Sequence, residues 1–252
     1  MPDVLPGAEP FSAAGGRCGA LVLHGFTGSP QSMRPLAEAF AGAGFAVELP
    51  LLPGHGTTVQ DMAGYGWPDW TAAVETAYQR LAGRSETVVV AGLSMGGSLA
   101  LWLASEHPGL AGMVLVNPVA ETDDLTPLAD AARGLLEAGE DFMPGVGNDV
   151  ADPDVTELAY TSVPNRSALS LIDGLTALKG RLAGITVPAL VLHSTQDHIV
   201  PPGSAALLTS RLGGPVEVVE LEHSWHVATI DLDRDLINAR AVAFAAKVTA
   251  AR

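Results

Sequence analysis

A short apolar run leads into glycines around a single serine, and a stretch rich in helix-forming residues follows directly. The run is 87–90, the serine is Ser94 between Gly92 and Gly96, and the helix-forming stretch is 98–104. This order predicts a strand, a sharp turn and a helix, with the serine hydroxyl raised above the end of the strand. Glycine suits both flanking positions, because a Cβ there would collide where strand and helix nearly touch. We interpret Ser94 as a nucleophile; the alternative is a glycine-rich turn with an incidental serine.

Buried strands and helical stretches alternate along most of the chain. The apolar runs are continuous rather than alternating in polarity, which is typical of parallel strands covered on both faces. Between them, apolar residues repeat at helical spacing. The predicted strands are 18–23, 45–49, 87–90, 113–116, 187–193 and 216–221, and the predicted helices are 30–41, 68–81, 94–107, 204–212 and 237–248. We therefore expect an α/β fold with a mostly parallel sheet flanked by helices.

The alternation stops between residues 119 and 183. This segment has acidic clusters, several prolines and glycines, only weak helical periodicity and no clear strand. It is either a helical insertion folded over the functional site or a second domain. Because about 65 residues is near the lower limit for independent folding, we favour a cap inserted after the strand ending near Val116, within one domain of residues 1–252.

Composition excludes several classes of partner. The chain has 28 acidic and 13 basic residues, a net charge of −15, and 48% hydrophobic residues. Such acidity argues against nucleic-acid binding and against docking on anionic membranes. No apolar run approaches the length of a membrane span, and the N-terminus lacks the features of a signal peptide. The single cysteine, Cys18, cannot form an internal disulfide. We therefore expect a cytoplasmic protein. The sequence leaves the oligomeric state of the protein open.

A serine hydroxyl needs a base to accept its proton, and that base needs a third group to orient it. In parallel α/β sheets these groups lie on loops at the carboxyl ends of strands. Asp197 follows the strand 187–193, and His226 follows the last strand. The order serine, aspartate, histidine is one of the known orders for such a triad. We therefore expect Ser94, Asp197 and His226 to act together.

Other residues compete for the same roles. His223 is the main rival to His226, which we prefer because it immediately precedes a helical stretch. Asp231 and Asp233 follow the last strand too, but they look like helix N-cap residues. His55, in a glycine-rich loop, is a candidate substrate contact, although a solvated loop histidine is the simpler reading.

A tetrahedral intermediate also needs two N–H donors aimed at its oxygen. The backbone N–H of Met95, next after the serine, is one candidate. The second is the backbone N–H of Phe26, in the loop after the first predicted strand. This chemistry requires no metal and no cofactor.

Five motifs together resemble the α/β-hydrolase superfamily and, more narrowly, the bacterial monoacylglycerol lipases and small bacterial carboxylesterases. The resemblance covers nearly the whole chain. The motifs are LHGFTGS at 23–29, LPGHG at 52–56, GLSMGG at 92–97, QDHIVP at 196–201 and HSWHVATID at 223–231. The family implies an eight-stranded sheet. The N-terminal segment of this chain is short for the first two of those strands.

The stretch PDVTELAY at 153–160 also resembles the cap of the monoacylglycerol lipases. In that family a glutamate helps to hold the glycerol hydroxyls, and Glu157 is the matching position. The resemblance implies hydrolysis of a monoacylglycerol or a similar ester or lipid through an acyl-enzyme. The alternatives are a general carboxylesterase, a thioesterase or another acyl-transfer enzyme on the same triad, and a non-catalytic binding protein.

Overall fold

Nine strands and eight α-helices follow one another in a computed structural model that describes residues 2–200 and 203–251. Pro201, the last residue of one sequence motif, lies outside the described residues. The strands are β1 (Phe11–Ala13), β2 (Cys18–Leu23), β3 (Ala46–Leu49), β4 (Thr87–Leu93), β5 (Gly112–Val116), β6 (Phe142–Pro144), β7 (Ser162–Pro164), β8 (Ala189–Ser194) and β9 (Val216–Leu221). The α-helices are α1 (Arg34–Gly42), α2 (Val59–Met62), α3 (Trp67–Ala82), α4 (Met95–Glu106), α5 (Thr126–Glu137), α6 (Asn165–Lys179), α7 (Gly203–Arg211) and α8 (Arg234–Ala250).

Seven of these strands form one sheet in the order β1-β3-β2-β4-β5-β8-β9. The edge strand β1 pairs antiparallel with β3, and every other pair is parallel. Strands β2, β4, β5 and β8 lie inside the sheet and are buried along nearly their whole length, which explains their continuous apolar runs. The predicted mostly parallel α/β fold is therefore confirmed. Of the two N-terminal strands that the family implies, the described residues contain one, the three-residue β1.

Helices cover both faces of this sheet and bury the predicted apolar positions. On one face α3 contributes Trp70, Val74 and Leu81, which pack with residues of α4, α6 and α7. On the other face, Phe40 of α1 and Ile237 of α8 are buried in a second core. Nine of the twelve residues of α4 are buried, so this central helix shows little amphipathic periodicity. Within 2–200 and 203–251, no helix is long and apolar enough to cross a membrane.

Residues 119–183, which we call the inserted segment, connect β5 to β8, its neighbour in the sheet. The segment contains α5, α6 and, between them, an antiparallel pair formed by β6 and β7. The expectation of no strand here is wrong. Each of these strands has only three residues and ends in proline, so neither produces the alternating run that marks a strand in sequence. Helix α6 packs on α3, where the Trp67 backbone N–H donates to Ser170 Oγ over 3.0 Å.

Candidate active site

Ser94 lies on the turn between β4 and α4 with φ 54° and ψ −119°. This backbone conformation is strained for a residue with a Cβ, and such strain clusters at functional sites. The flanking glycines make the turn possible: a Cβ on Gly92 would lie 2.1 Å from the Gly96 carbonyl oxygen. A Cβ on Gly96 would lie 2.2 Å from the carbonyl oxygen of Leu23 in β2. The steric reason for glycine at both positions therefore holds.

Asp197 and His226 form a hydrogen-bonded pair. His226 Nδ1 donates to Asp197 Oδ2 over 2.9 Å, and both side chains are largely buried. The other carboxylate oxygen of Asp197 accepts the backbone N–H groups of Ile199 and Val200, each over 2.8 Å. These bonds fix the carboxylate, which in turn fixes the imidazole and leaves Nε2 as its basic nitrogen.

Ser94 and His226 line the same cavity, which has a volume of about 250 Å³. Most of its walls are apolar, and most of these apolar residues belong to the inserted segment. They include Val119, Leu125, Leu128, Met143, Val146, Val163, Ala168, Leu171, Ile172 and Leu175. An apolar cavity that ends at a serine and a histidine suits a substrate with a hydrocarbon chain.

Phe26 and Met95 line this cavity as well. The loop that carries Phe26 passes directly over the serine, because a Cβ on Gly25 would lie only 3.5 Å from the Ser94 Cβ. Met95 is the first residue of α4, whose N-terminal N–H groups and dipole favour negative charge beside the serine. Phe26 and Met95, the residues whose backbone N–H groups are the candidate donors, thus lie in the wall of the cavity that contains Ser94.

Glu157, in the inserted segment, is one of the acidic residues that line the cavity. Burial raises the pKa of its carboxyl to about 7, although the nearby His226 and a hydrogen bond with Ser32 act in the opposite direction. The neighbouring charge of Asp149 adds to the increase. A Cβ on Gly28 would lie 2.7 Å from Glu157 Oε1, so glycine leaves room for the carboxylate.

His24 and His55 are both buried, and neither is among the described residues that line the cavity. The His55 ring makes edge-on contacts with His24, Phe26 and Trp70 at centroid distances of 5.0, 6.3 and 5.6 Å. Burial lowers the pKa of His55 to about 4 and, together with the neighbouring His55, that of His24 to about 3. Both rings are therefore neutral at pH 7. The structure does not bring His55 to Ser94 as a substrate contact.

The rival residues lie elsewhere on the same loop. His223 is exposed, and its Nδ1 lies 3.2 Å from Asp233 Oδ1. Asp233 occupies the N-cap position of α8 but makes no side-chain cap bond; its other oxygen accepts the N–H groups of His223 and Ser224. Asp231 accepts the N–H of Trp225 and two N–H groups of the inserted segment. Asp233 thus lies at the predicted N-cap position, whereas the N-cap expectation for Asp231 is wrong, because Asp231 lies three residues before the first residue of α8.

Two residues that the sequence reasoning missed hold the backbone of His226. Asn117 directly follows β5 with φ 42°, and its Nδ2 donates to the His226 carbonyl oxygen over 2.7 Å. Asp149, in the inserted segment, accepts the His226 N–H over 3.0 Å. Asn117 gave one usable signal, a polar residue at the carboxyl end of a buried strand. Asp149 gave none, since it lies in a stretch without periodicity.

Comparisons with known proteins agree with this geometry. Residues 18–233 match the Hydrolase_4 family, described as "Serine aminopeptidase, S33". The chain is 44% identical over 247 residues to a thermostable monoacylglycerol lipase of Bacillus sp. (strain H-257), covering 97% of this chain and 96% of that protein. It is 25% identical to a carboxylesterase of Bacillus subtilis (strain 168) over 91% of this chain and 93% of the relative.

A solved structure of the metagenome-derived lipolytic enzymes LipS and LipT has a similar fold. It matches with a TM-score of 0.93 and 41% identity, covering 97% of this chain and all of that one. The family match spans most of the chain, and the central sheet and serine turn described above have the form that this fold requires. The chain therefore belongs to the Hydrolase_4 family of α/β-hydrolases.

Proposed function

We propose that the protein is a serine hydrolase that cleaves monoacylglycerols into a fatty acid and glycerol. The observation that carries the proposal is the apolar cavity that contains Ser94, on its strained turn, and His226, paired with Asp197. The 44% identity to a thermostable monoacylglycerol lipase adds support for the substrate class.

In the proposed mechanism, Ser94 Oγ attacks the ester carbonyl carbon while His226 Nε2 accepts the hydroxyl proton. Asp197 holds the imidazole and stabilises the imidazolium that forms. The N–H groups of Phe26 and Met95 stabilise the oxyanion. His226 then donates its proton to the leaving glycerol oxygen, which leaves an acyl-enzyme. Water, deprotonated by His226, attacks the acyl carbonyl, and the returned proton restores the Ser94 hydroxyl as the fatty acid departs.

Substrate selection is divided between two parts of the cavity. The apolar residues of the inserted segment take the acyl chain, and Glu157 accepts hydrogen bonds from the glycerol hydroxyls. The carboxylate accepts such bonds best when it is ionised. For His55 we propose a packing role against Phe26. In this assignment residues 119–183 act as a cap within one catalytic domain of residues 1–252, and the enzyme works in the cytoplasm.

A general carboxylesterase is the second candidate, favoured by the 25% identity to a carboxylesterase over most of both chains. Such an enzyme would use the same three residues without recognising glycerol. The two functions differ in one measurable ratio: the kcat/KM for a 1-monoacylglycerol relative to that for a p-nitrophenyl ester of the same acyl chain. A thioesterase is distinguished from both by measuring kcat/KM for an acyl thioester with the same acyl chain.

The proposal is tested with Ser94→Ala and its matched control Ser105→Ala, which removes a hydroxyl near the other end of α4. Ser94→Ala is expected to fold normally, to lose turnover of both substrates and to escape labelling by a fluorophosphonate, while Ser105→Ala keeps all three properties of the wild type. Substantial turnover by folded Ser94→Ala protein would end the proposal. If Ser94→Ala loses turnover but the wild type shows no preference for the monoacylglycerol over the p-nitrophenyl ester, the carboxylesterase is favoured.

A further inference from the structure

The peptide groups on both sides of the His226 Cα are held by side chains from distant parts of the chain. The His226 N–H donates to Asp149 Oδ2 over 3.0 Å, and its carbonyl oxygen accepts from Asn117 Nδ2 over 2.7 Å. The next backbone N–H, of Val227, donates to the Asp149 carbonyl oxygen over 3.0 Å. The position of His226 thus depends on a residue of the inserted segment as well as on the sheet.

The second oxygen of Asp149 is also engaged, and this orients its carboxylate. His198 Nδ1 lies 2.8 Å from Asp149 Oδ1, and the His198 ring packs edge-on against Trp225 with centroids 4.8 Å apart. Asp149 is 7% exposed. Hydrogen bonds to an ionised acceptor in a poorly solvated place are among the stronger and more directional ones.

The residue before Asp149 makes an equivalent bond on the other side. Asn148 Oδ1 accepts the backbone N–H of Glu157 over 2.8 Å. Two adjacent residues therefore hold the main chain at two of the polar residues that line the cavity, His226 and Glu157. The main chain at His226 and the main chain at Glu157 are thereby both hydrogen-bonded to the same dipeptide.

We propose that Asn148 and Asp149 form a positioning bridge in the active site: Asp149 sets His226 for proton transfer, and Asn148 sets Glu157 for the glycerol end of the substrate. This inference rests on the proposed function, in which His226 is the base and Glu157 contacts glycerol. Misplacing a reacting group by about 1 Å can cost about 100-fold in rate. Neither bridge residue touches the reacting atoms in this account, since each acts through a backbone N–H.

The bridge predicts that loss of its two members affects different kinetic constants, kcat for Asp149 and KM for Asn148. Asp149→Ala leaves the buried His226 N–H without its acceptor, so kcat should fall about 10–100-fold on both a monoacylglycerol and p-nitrophenyl butyrate, with KM nearly unchanged. Asp149→Asn should restore kcat to within about threefold of the wild type, because the amide oxygen still accepts from the His226 N–H. Asn148→Ala should raise KM about threefold for the monoacylglycerol alone, as its bond to Glu157 is solvent-exposed.

The matched control is Asp154→Asn, which removes an exposed carboxylate from the same segment and should leave both substrates unaffected. Circular dichroism and thermal melting establish that each variant is folded before its kinetics are read. If Asp149→Ala does not fold, Asp149→Ser is measured in its place and is expected to show the same fall in kcat, because its shorter side chain does not reach the His226 N–H.

Two results would overturn the bridge. One is wild-type kcat in folded Asp149→Ala or Asp149→Ser; the other is equal impairment of Asp149→Asn and Asp149→Ala, which would mean that the charge rather than the hydrogen bond matters. These outcomes are separate from failure of the proposed function, which Ser94→Ala reports. Loss of activity in Ser94→Ala together with an unaffected Asp149→Ala would remove only the bridge.

Discussion

Replacing Glu157 by glutamine should stabilise the protein, and the gain should grow with pH. Burial in the cavity wall raises the pKa of this carboxyl from 4.5 to about 7 in the folded protein. The folded state therefore binds the proton more tightly than the unfolded state, in which the carboxyl is fully hydrated. As pH rises from 4.5 to 7, the unfolded chain ionises first and becomes relatively more stable. Glutamine has nearly the same shape and never ionises, so it removes this cost.

The size of the effect follows from the two pKa values. Each tenfold difference in proton affinity between the states is worth about 1.4 kcal/mol. Between pH 5 and pH 8, the free energy of unfolding of Glu157→Gln relative to the wild type should increase by about 2.5 kcal/mol. For a protein of this size, 1 kcal/mol moves the melting midpoint by about 2–4 °C, which gives about 5–10 °C.

Urea unfolding of both proteins at pH 5, 6, 7 and 8 measures this difference directly. Asp154→Asn removes an exposed carboxylate from the same segment and should give a difference that does not change with pH by more than about 0.5 kcal/mol. A difference between Glu157→Gln and wild type that stays constant from pH 5 to pH 8 would refute the reasoning. It would mean that the Glu157 carboxylate is as well solvated in the folded protein as in the unfolded chain.

Three other measurements test the site. KM for a monoacylglycerol should rise as pH falls below about 7, where the Glu157 carboxyl becomes protonated, while KM for p-nitrophenyl butyrate stays level; parallel curves for the two substrates would contradict this. Gly96→Ala should lower the free energy of unfolding by more than about 3 kcal/mol, because its Cβ meets backbone, whereas Gly134→Ala on open helix surface should stabilise by about 0.5–1 kcal/mol. Asn117→Ala should cost about 2–5 kcal/mol in urea unfolding by leaving buried backbone groups unpaired, and a cost below about 1 kcal/mol would contradict that account.

Sequence reasoning worked where one local pattern determines the structure. Continuous apolar runs predicted the inner strands, since a strand buried on both faces has no polar positions to interrupt it. The glycines at 92 and 96 predicted the tight turn at Ser94. Asp197 and His226 were found because each follows a strand at its carboxyl end, and parallel strands place those ends on one edge of the sheet.

Sequence reasoning failed for hydrogen bonds between residues that are distant in the chain and are not joined by a regular helix or sheet. Asp149 lies 77 residues before His226 in a stretch with no periodicity, so no spacing rule connects them. Asp231 was misread as an N-cap because an aspartate just before a helix is most often one, whereas Asp233 does lie at the N-cap position but makes no cap bond with its side chain. Both side chains turn toward the preceding loop and accept backbone N–H groups there that have no helix or strand partner.

That loop explains why acidic residues gather around His226. Residues 223–226 make neither helix nor sheet bonds, yet buried N–H groups must find an acceptor. Asp233 accepts two of these four N–H groups, Asp231 accepts the third and Asp149 the fourth. Three carboxylates thus accept the backbone N–H groups of this loop, as carbonyl oxygens of a neighbouring strand would in a sheet. Part of the net charge of −15 is therefore structural, and these aspartates, unlike surface acids that serve solubility, hold the proposed base in a single backbone conformation.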